Sequence, residues 1–127
     1  VRNDKRAVLD ASAVLAVLQD EPGSETLRKL LPEALVSAVN QAEVLAKLMH
    51  HGMPAAEAQS AFDALHLEVV AFDAELAAIS AQYVRKGLSL GDRCFLASAF
   101  RYGRGYTSDR DLAKWLGKTA PELEVFR

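Results

Sequence analysis

The stretch AVLDASAVLAVL, residues 7–18, decides the fold. Ala7, Val8 and Leu9 form an unbroken apolar run before Asp10, and an apolar, alanine-rich segment resumes after Ser12. A short buried strand that meets a helix at an acidic residue reads this way. In open α/β sheets that junction, at the carboxyl end of a strand, is where ligands bind. Asp10 is therefore the first candidate for chemistry. The alternative is that Asp10 or Ser12 only caps the helix, its side-chain oxygen accepting from free backbone N–H groups.

Outward from this unit, Asp20-Glu21-Pro22-Gly23 breaks the pattern. Ser24 to Leu31 resumes a short amphipathic helix with Leu27, Leu30 and Leu31 on one side, ended by Pro32. Ala34 to Val39 predicts a second strand. A helix is expected from Asn40 through Glu43, Leu45, Leu48 and Met49 to Gly52, and another from Pro54 to His66. Glu68 to Phe72 predicts a third strand. Asp73 caps a helix expected to run to about Lys86 and stop at Gly87. A further helix lies within Leu88 to Arg101, with Gly103 and Gly105 expected to punctuate its end. Tyr106-Thr107 is a short strand, Ser108 is expected to open a helix through Trp115 and Leu116, and Leu123 to Phe126 supplies the last strand. Strands separated by helices call for a mainly parallel five-stranded sheet covered on both faces, a three-layer α/β/α domain spanning residues 1–127.

A chain of 127 residues, half of them hydrophobic and a quarter charged, can bury one core of its own. No apolar run reaches the roughly 20 residues needed to span a bilayer. The charged start VRNDKR precedes only a short apolar run containing Asp10, unlike a secretory signal, so a cytoplasmic location is expected. The lone Cys94 permits no internal disulfide and is expected to be a small buried hydrophobe. Net charge is -2, which argues against a general nucleic-acid coat, yet residues 85–118 carry +5 and the remainder -7. A local basic surface beside isolated acids suits a phosphate backbone held near a metal. Ordinary solvated helix faces explain it as well.

Asn40-Gln41-Ala42-Glu43, Ser89-Leu90-Gly91-Asp92 and Ser108-Asp109-Arg110-Asp111 all have the form of a capping box or a close variant. Asp10, Glu43, Asp92 and Asp109 could thus all be first-turn acids interacting with helix dipoles. Their setting points further. Asp10, Glu43 and Asp109 each follow a predicted strand within a few residues, so a parallel sheet brings them to one rim. Carboxylates gathered there repel unless protons or a cation neutralise them, and a hard divalent cation with oxygen ligands does so. Asp92 follows a helix, and spacing alone does not place it with the others.

VLDASAVLAVL, SAVNQAEVLAKL, LSLGDRCFLASA and YTSDRDLAKW resemble, in order, the acidic motifs of the PIN-domain ribonucleases, specifically the VapC-type toxins of toxin-antitoxin pairs. LSLGDR before an apolar helix is the most specific piece. The resemblance implies that Asp10, Glu43, Asp92 and Asp109 are catalytic acids binding Mg²⁺ or Mn²⁺, and it carries Asp92 to the rim. Ser12 and Thr107 would be polar supports. Asp111 is a possible further acid, with a capping role behind Ser108 the preferred reading. The implied activity is metal-dependent endoribonucleolysis by a toxin restrained by a cognate VapB-like antitoxin, with no membrane partner. Arg93, Arg110 and Lys114 are candidate RNA-backbone contacts, the last two one helical turn apart. A groove for the antitoxin is expected along the helices after Asp10 and near Leu27 to Leu31. The alanine-rich helices from Asn40 to His66 and the resemblance together predict a homodimer.

Two other readings compete. A PIN-like domain could bind RNA or protein without cutting, its acids serving as caps. A phosphoryl-transfer enzyme with Asp10 as nucleophile is disfavoured because Ser12 stands where a D-x-D phosphatase needs its second Asp. His50, His51 and His66 find no partner pattern for zinc. Trp115, Phe95 and Phe100 recur at helical spacings and read as core.

Overall fold

The structure is a computed structural model and describes residues 6–114 and 117–127. The first strand, β1 (Arg6–Leu9), leads through Asp10 into α1 (Ala11–Leu18), as the opening stretch predicts. Next come α2 (Ser24–Leu30), a short 3-10 turn over Leu31–Glu33, and β2 (Leu35–Ser37). The packed pair α3 (Ala38–His50) and α4 (Ala55–Asp63) precedes β3 (Glu68–Val70). The chain then continues through α5 (Ala74–Ser80), α6 (Leu90–Tyr102), β4 (Gly103–Thr107), a 3-10 turn over Leu112–Lys114, and β5 (Glu122–Val125).

The five strands lie in the order β3-β2-β1-β4-β5, every neighbouring pair parallel. Alternation along the strands splits the core into two layers. Ala7, Leu9, Val36 and Tyr106 face α1 to α4, where Val14, Leu27, Val44 and Phe62 are buried. Val8, Leu35 and Val70 face α5 and α6, meeting Leu76, Phe95 and Leu96. Each such large side chain contributes about 1.5–3 kcal/mol by leaving water. The result is the three-layer α/β/α sandwich. Among the described residues, no helix is long and apolar enough to cross a membrane.

Several expected boundaries move. The α3 helix starts at Ala38, with Ser37 as N-cap accepting from the Val39 N–H at 3.1 Å, so Asn40 lies inside the helix rather than capping it. The α5 helix ends at Ser80, well short of Lys86, and Tyr83 beyond it turns inward and is fully buried. Its hydroxyl donates to the Thr119 carbonyl at 2.7 Å, and its pKa is pushed up to about 12 by burial. Gly103 and Gly105 do not merely end α6; they lie in β4. A Cβ at Gly105 would stand 2.6 Å from Phe95 Cζ and 2.7 Å from Leu123 Cδ2, so α6 reaches the sheet only because this position has no side chain. No helix opens at Ser108: the described chain makes turns and the short 3-10 segment, while Trp115 and Leu116 lie outside the described residues. Arg110 and Lys114 are therefore not successive turns of one helix. Phe95 is fully buried, as expected.

Candidate functional site

The sheet reverses its direction of growth between β1 and β4, and in such sheets the crevice beyond the strand ends at this point is the natural ligand site. Asp10 follows β1 and Asp109 follows β4 by two residues. The ladder continues one step past the strand through the Asp10 N–H, which donates to the Tyr106 carbonyl at 3.3 Å. Ser12 ties the two chain segments together: its hydroxyl donates to Asp10 Oδ1 at 2.6 Å while its oxygen accepts from the Ser108 N–H at 3.1 Å. Thr107 Oγ1 accepts from the Asp109 N–H at 3.0 Å.

A cavity of about 190 Å³ opens here, and Asp10, Glu43, Asp92 and Asp109 all line it, with Ser12, Asn40 and Gly91 among its other walls. Asp92 arrives by a route that spacing could not supply. The N-terminus of α6 packs against α3 at the rim, and Ser89 and Asp92 form the expected capping box, the Asp92 N–H donating to Ser89 Oγ at 3.1 Å and the Ser89 N–H to Asp92 Oδ2 at 3.2 Å. Asp10 likewise caps α1, accepting from the Ala13 N–H at 2.9 Å. Capping and site-building are thus the same placement read twice.

Two residues outside the acidic set shape the cavity. Asn40, buried at 1% exposure, donates through Nδ2 to Glu43 Oε1 at 2.7 Å and to the Gly91 carbonyl at 3.2 Å, clasping α3 to α6. Its Oδ1 is buried without a hydrogen-bond partner. Gly91 makes room for the Glu43 carboxylate: a Cβ there would stand 2.5 Å from Glu43 Cδ and 2.6 Å from Oε1. The sequence carried signals for both. Asn40 stands three residues before Glu43, on the same helical face, and a glycine in the first turn of a capped helix is a cost that close approach explains.

Burial pushes the Asp10 carboxyl above the ordinary carboxylate range. The Asp92 charge acts in the same direction, against hydrogen bonds from Ser12, Thr107 and Ala13. A cation at this rim would offset that penalty, and the donors present are the hard oxygens that Mg²⁺ or Mn²⁺ prefers. Among the described residues, however, no three Asp, Glu, His or Cys side chains stand close enough together to hold a metal ion. Each of the four acids is turned to a local donor: Asp10 to Ser12 and Ala13, Glu43 to Asn40, Asp92 to Ser89, and Asp109 to the Asp111 N–H at 2.8 Å.

Asp111 does not line the acidic cavity and is not capped by Ser108; its carboxylate pairs with Lys114 at 3.3 Å. A second cavity of about 340 Å³ shares Asp92 and Asp109 with the first, and Asp111, Arg85, Lys86 and Lys114 line it. Arg110 lines neither cavity and donates to the Arg127 carbonyl at 3.3 Å; Arg93 has its Nε buried without a partner. On the other side of Glu43, an apolar groove of about 480 Å³ runs between α1 and α3, walled by Ala11, Leu15 and Ala46 with Lys47 and His50. The expected wall near Leu27 is absent from it, because Leu27 is fully buried beneath α1. Cys94 is buried, its pKa pushed up to about 11 by desolvation and the Glu43 charge, which leaves it an inert core residue.

The fold is shared with solved proteins. A chain in the structure of VapBC2 from Rickettsia felis, bound to a DNA fragment from their promoter, superposes with a TM-score of 0.70 at 15% identity, over 93% of this chain and 96% of that one. PAE2754 from Pyrobaculum aerophilum superposes with a TM-score of 0.63 at 22% identity, over 95% and 84%. No protein of curated function matches in sequence. Residues 7–115 match the family described as the PIN domain, and that span contains all four rim acids together with the strands and helices that carry them. The chain belongs to the PIN-domain family.

Proposed function

We propose that this chain is a metal-dependent endoribonuclease acting as a toxin that a cognate antitoxin neutralises. The observation that carries the reading is the lining of one cavity by Asp10, Glu43, Asp92 and Asp109 at the sheet's switch point, in a chain of the PIN-domain family. The VapBC2 likeness supports the toxin-antitoxin part. These four carboxylates would hold Mg²⁺ or Mn²⁺, with Ser12 and Thr107 as supports. When bound, such a cation polarises a phosphate oxygen and lowers the pKa of water for in-line attack on the phosphodiester. The chain's own contribution is orientation. Ser12 and the α1 N-terminus fix Asp10, Thr107 fixes the backbone at Asp109, and Asn40 with Gly91 sets Glu43.

The antitoxin reading rests on charge and shape. An Arg or Lys of the partner suits the acidic cavity, and apolar side chains suit the adjoining groove between α1 and α3. Partner and Mn²⁺ should therefore compete for the toxin. The chain is also proposed to pair through α3 and α4, where Met49 is exposed. Light scattering at tens of micromolar checks this, and a strictly monomeric mass counts against it.

The decisive experiment incubates RNA with the purified protein and Mn²⁺ or a chelator, alongside Asp10→Asn and Asp92→Asn. Cleavage that needs the metal and disappears in both folded variants is expected, together with weaker Mn²⁺ binding by calorimetry. Unchanged cleavage or unchanged Mn²⁺ affinity in both variants would overturn the shared site. Metal-independent RNA binding without cleavage would favour the non-cutting PIN-like module.

A further inference from the structure

The surroundings of the acidic cavity are lopsided. On the α1 and α3 side the neighbouring groove is apolar, with Lys47 beside Glu43. On the opposite side the cavity shares Asp92 and Asp109 with a larger one, to which Asp111 adds a third carboxylate and Arg85, Lys86 and Lys114 add three cations. A polyanion reaching the acids meets three cations along that second side and one lysine along the first.

The three cations come from two chain segments held together. Arg85 and Lys86 belong to the connection between α5 and α6, and Arg85 donates to the Asp111 carbonyl at 2.8 Å, which fixes this connection against the turn that follows β4. Lys114 comes from that turn. Its ion pair with Asp111 joins two side chains that are 73% and 81% exposed, an arrangement that contributes little and exchanges readily for a phosphate. The other two candidate contacts are worse placed, since Arg110 is spent on the Arg127 carbonyl and Arg93 is half-buried on α6.

We propose that the cavity lined by Arg85, Lys86 and Lys114 holds the phosphate next to the scissile one, so that the RNA strand leaves the acidic cavity over this flank and not over the α1–α3 groove. The proposal rests on the ribonuclease reading for the identity of the scissile bond. The basic contact itself needs no metal. Lys86 and Lys114 are positioning residues for the substrate, with no part in the chemical step.

The test measures anisotropy of fluorescein-labelled oligouridylate with the full chain in chelator, as a function of salt. For single strands each lost phosphate contact lowers the salt slope by about 0.7, or about fivefold in affinity near 0.1 M salt. Lys86→Ala with Lys114→Ala, which removes the hold on that one phosphate, should therefore weaken binding by roughly fivefold and lower the slope by about 0.7. Lys86→Arg with Lys114→Arg should restore both. Lys29→Ala, an exposed charge on α2, should change neither. Mn²⁺ affinity should be unaltered in the double alanine variant. An unchanged slope in that variant, or an equal loss in Lys29→Ala, overturns the proposal. Polyglutamate binding that depends on Lys86 and Lys114, beside oligouridylate binding that does not, also overturns it and assigns the flank to an acidic protein segment. If the slope falls as expected while native protein with Mn²⁺ leaves RNA intact, the flank stands and the ribonuclease reading fails.

Discussion

Gly91→Ala adds a methyl group where the Glu43 carboxylate now lies, 2.5 Å from its Cδ and 2.6 Å from its Oε1. Neither atom belongs to the backbone, so the fold survives and the Glu43 side chain swings away. Two terms set the stability change. Replacing glycine in the first turn of α6 is worth about 0.4–1 kcal/mol through the unfolded chain and helix propensity. Losing the bond from Asn40 Nδ2 to Glu43 costs about 1.5 kcal/mol, the low end for a charged acceptor because Glu43 is exposed. The net is within about 1 kcal/mol, a shift of a few degrees in Tm for a domain of this size. The functional effect is larger, since displacing one of the carboxylates proposed to hold the metal should weaken Mn²⁺ binding tenfold or more, about 1.4 kcal/mol at least. Thermal melts in chelator, Mn²⁺ calorimetry and RNA cleavage on the same preparation measure all three quantities. A variant with native Mn²⁺ affinity and native cleavage would show that the contact between Glu43 and α6 does not serve the site. A variant that fails to fold would refute the packing argument.

Asp10→Asn should stabilise the metal-free protein at neutral pH while abolishing cleavage, because Asn still caps α1 and no longer carries a buried charge. The raised folded pKa means that the native state binds the Asp10 proton more tightly than the unfolded state, whose value is near 3.8, so this contribution to stability is lost as pH rises from there through the folded value. Melting profiles against pH should show that loss in the native chain and not in the variant; parallel profiles would contradict it. Tyr83→Phe removes the hydroxyl that donates to the Thr119 carbonyl and should cost about 1 kcal/mol, read as a lower urea midpoint at constant m value. Cys94 should resist thiol reagents at about pH 8 until the protein is unfolded, since it is fully buried with a raised pKa; rapid labelling of the native protein would refute this.

The sequence alone determined whatever depends on neighbours along the chain. The run from Ala7 to Leu9 followed by Asp10, the break at Pro22-Gly23 and the spacing of five apolar runs are local patterns, and they led to the parallel sheet and the α/β/α layering. The Ser89 to Asp92 capping box was equally legible, because its donors and acceptors lie three residues apart. Where a local pattern had two readings, local information failed. Asn40 to Glu43 imitates a helix start, yet Ser37 takes the cap and leaves Asn40 to clasp Glu43 and the Gly91 carbonyl 51 residues away. Ser108 to Asp111 imitates another, yet the Ser108 N–H is drawn to Ser12 across 96 residues, and the described residues that follow form turns and a 3-10 segment in place of an α-helix. The four acids could be matched to a family pattern, but the cavity they line, the glycine that admits Glu43 and the basic flank beside it arise only when the N-terminus of α6 meets α3 at the rim of the sheet. A contact between distant segments leaves no periodic trace in either one, so the tertiary structure alone decided it.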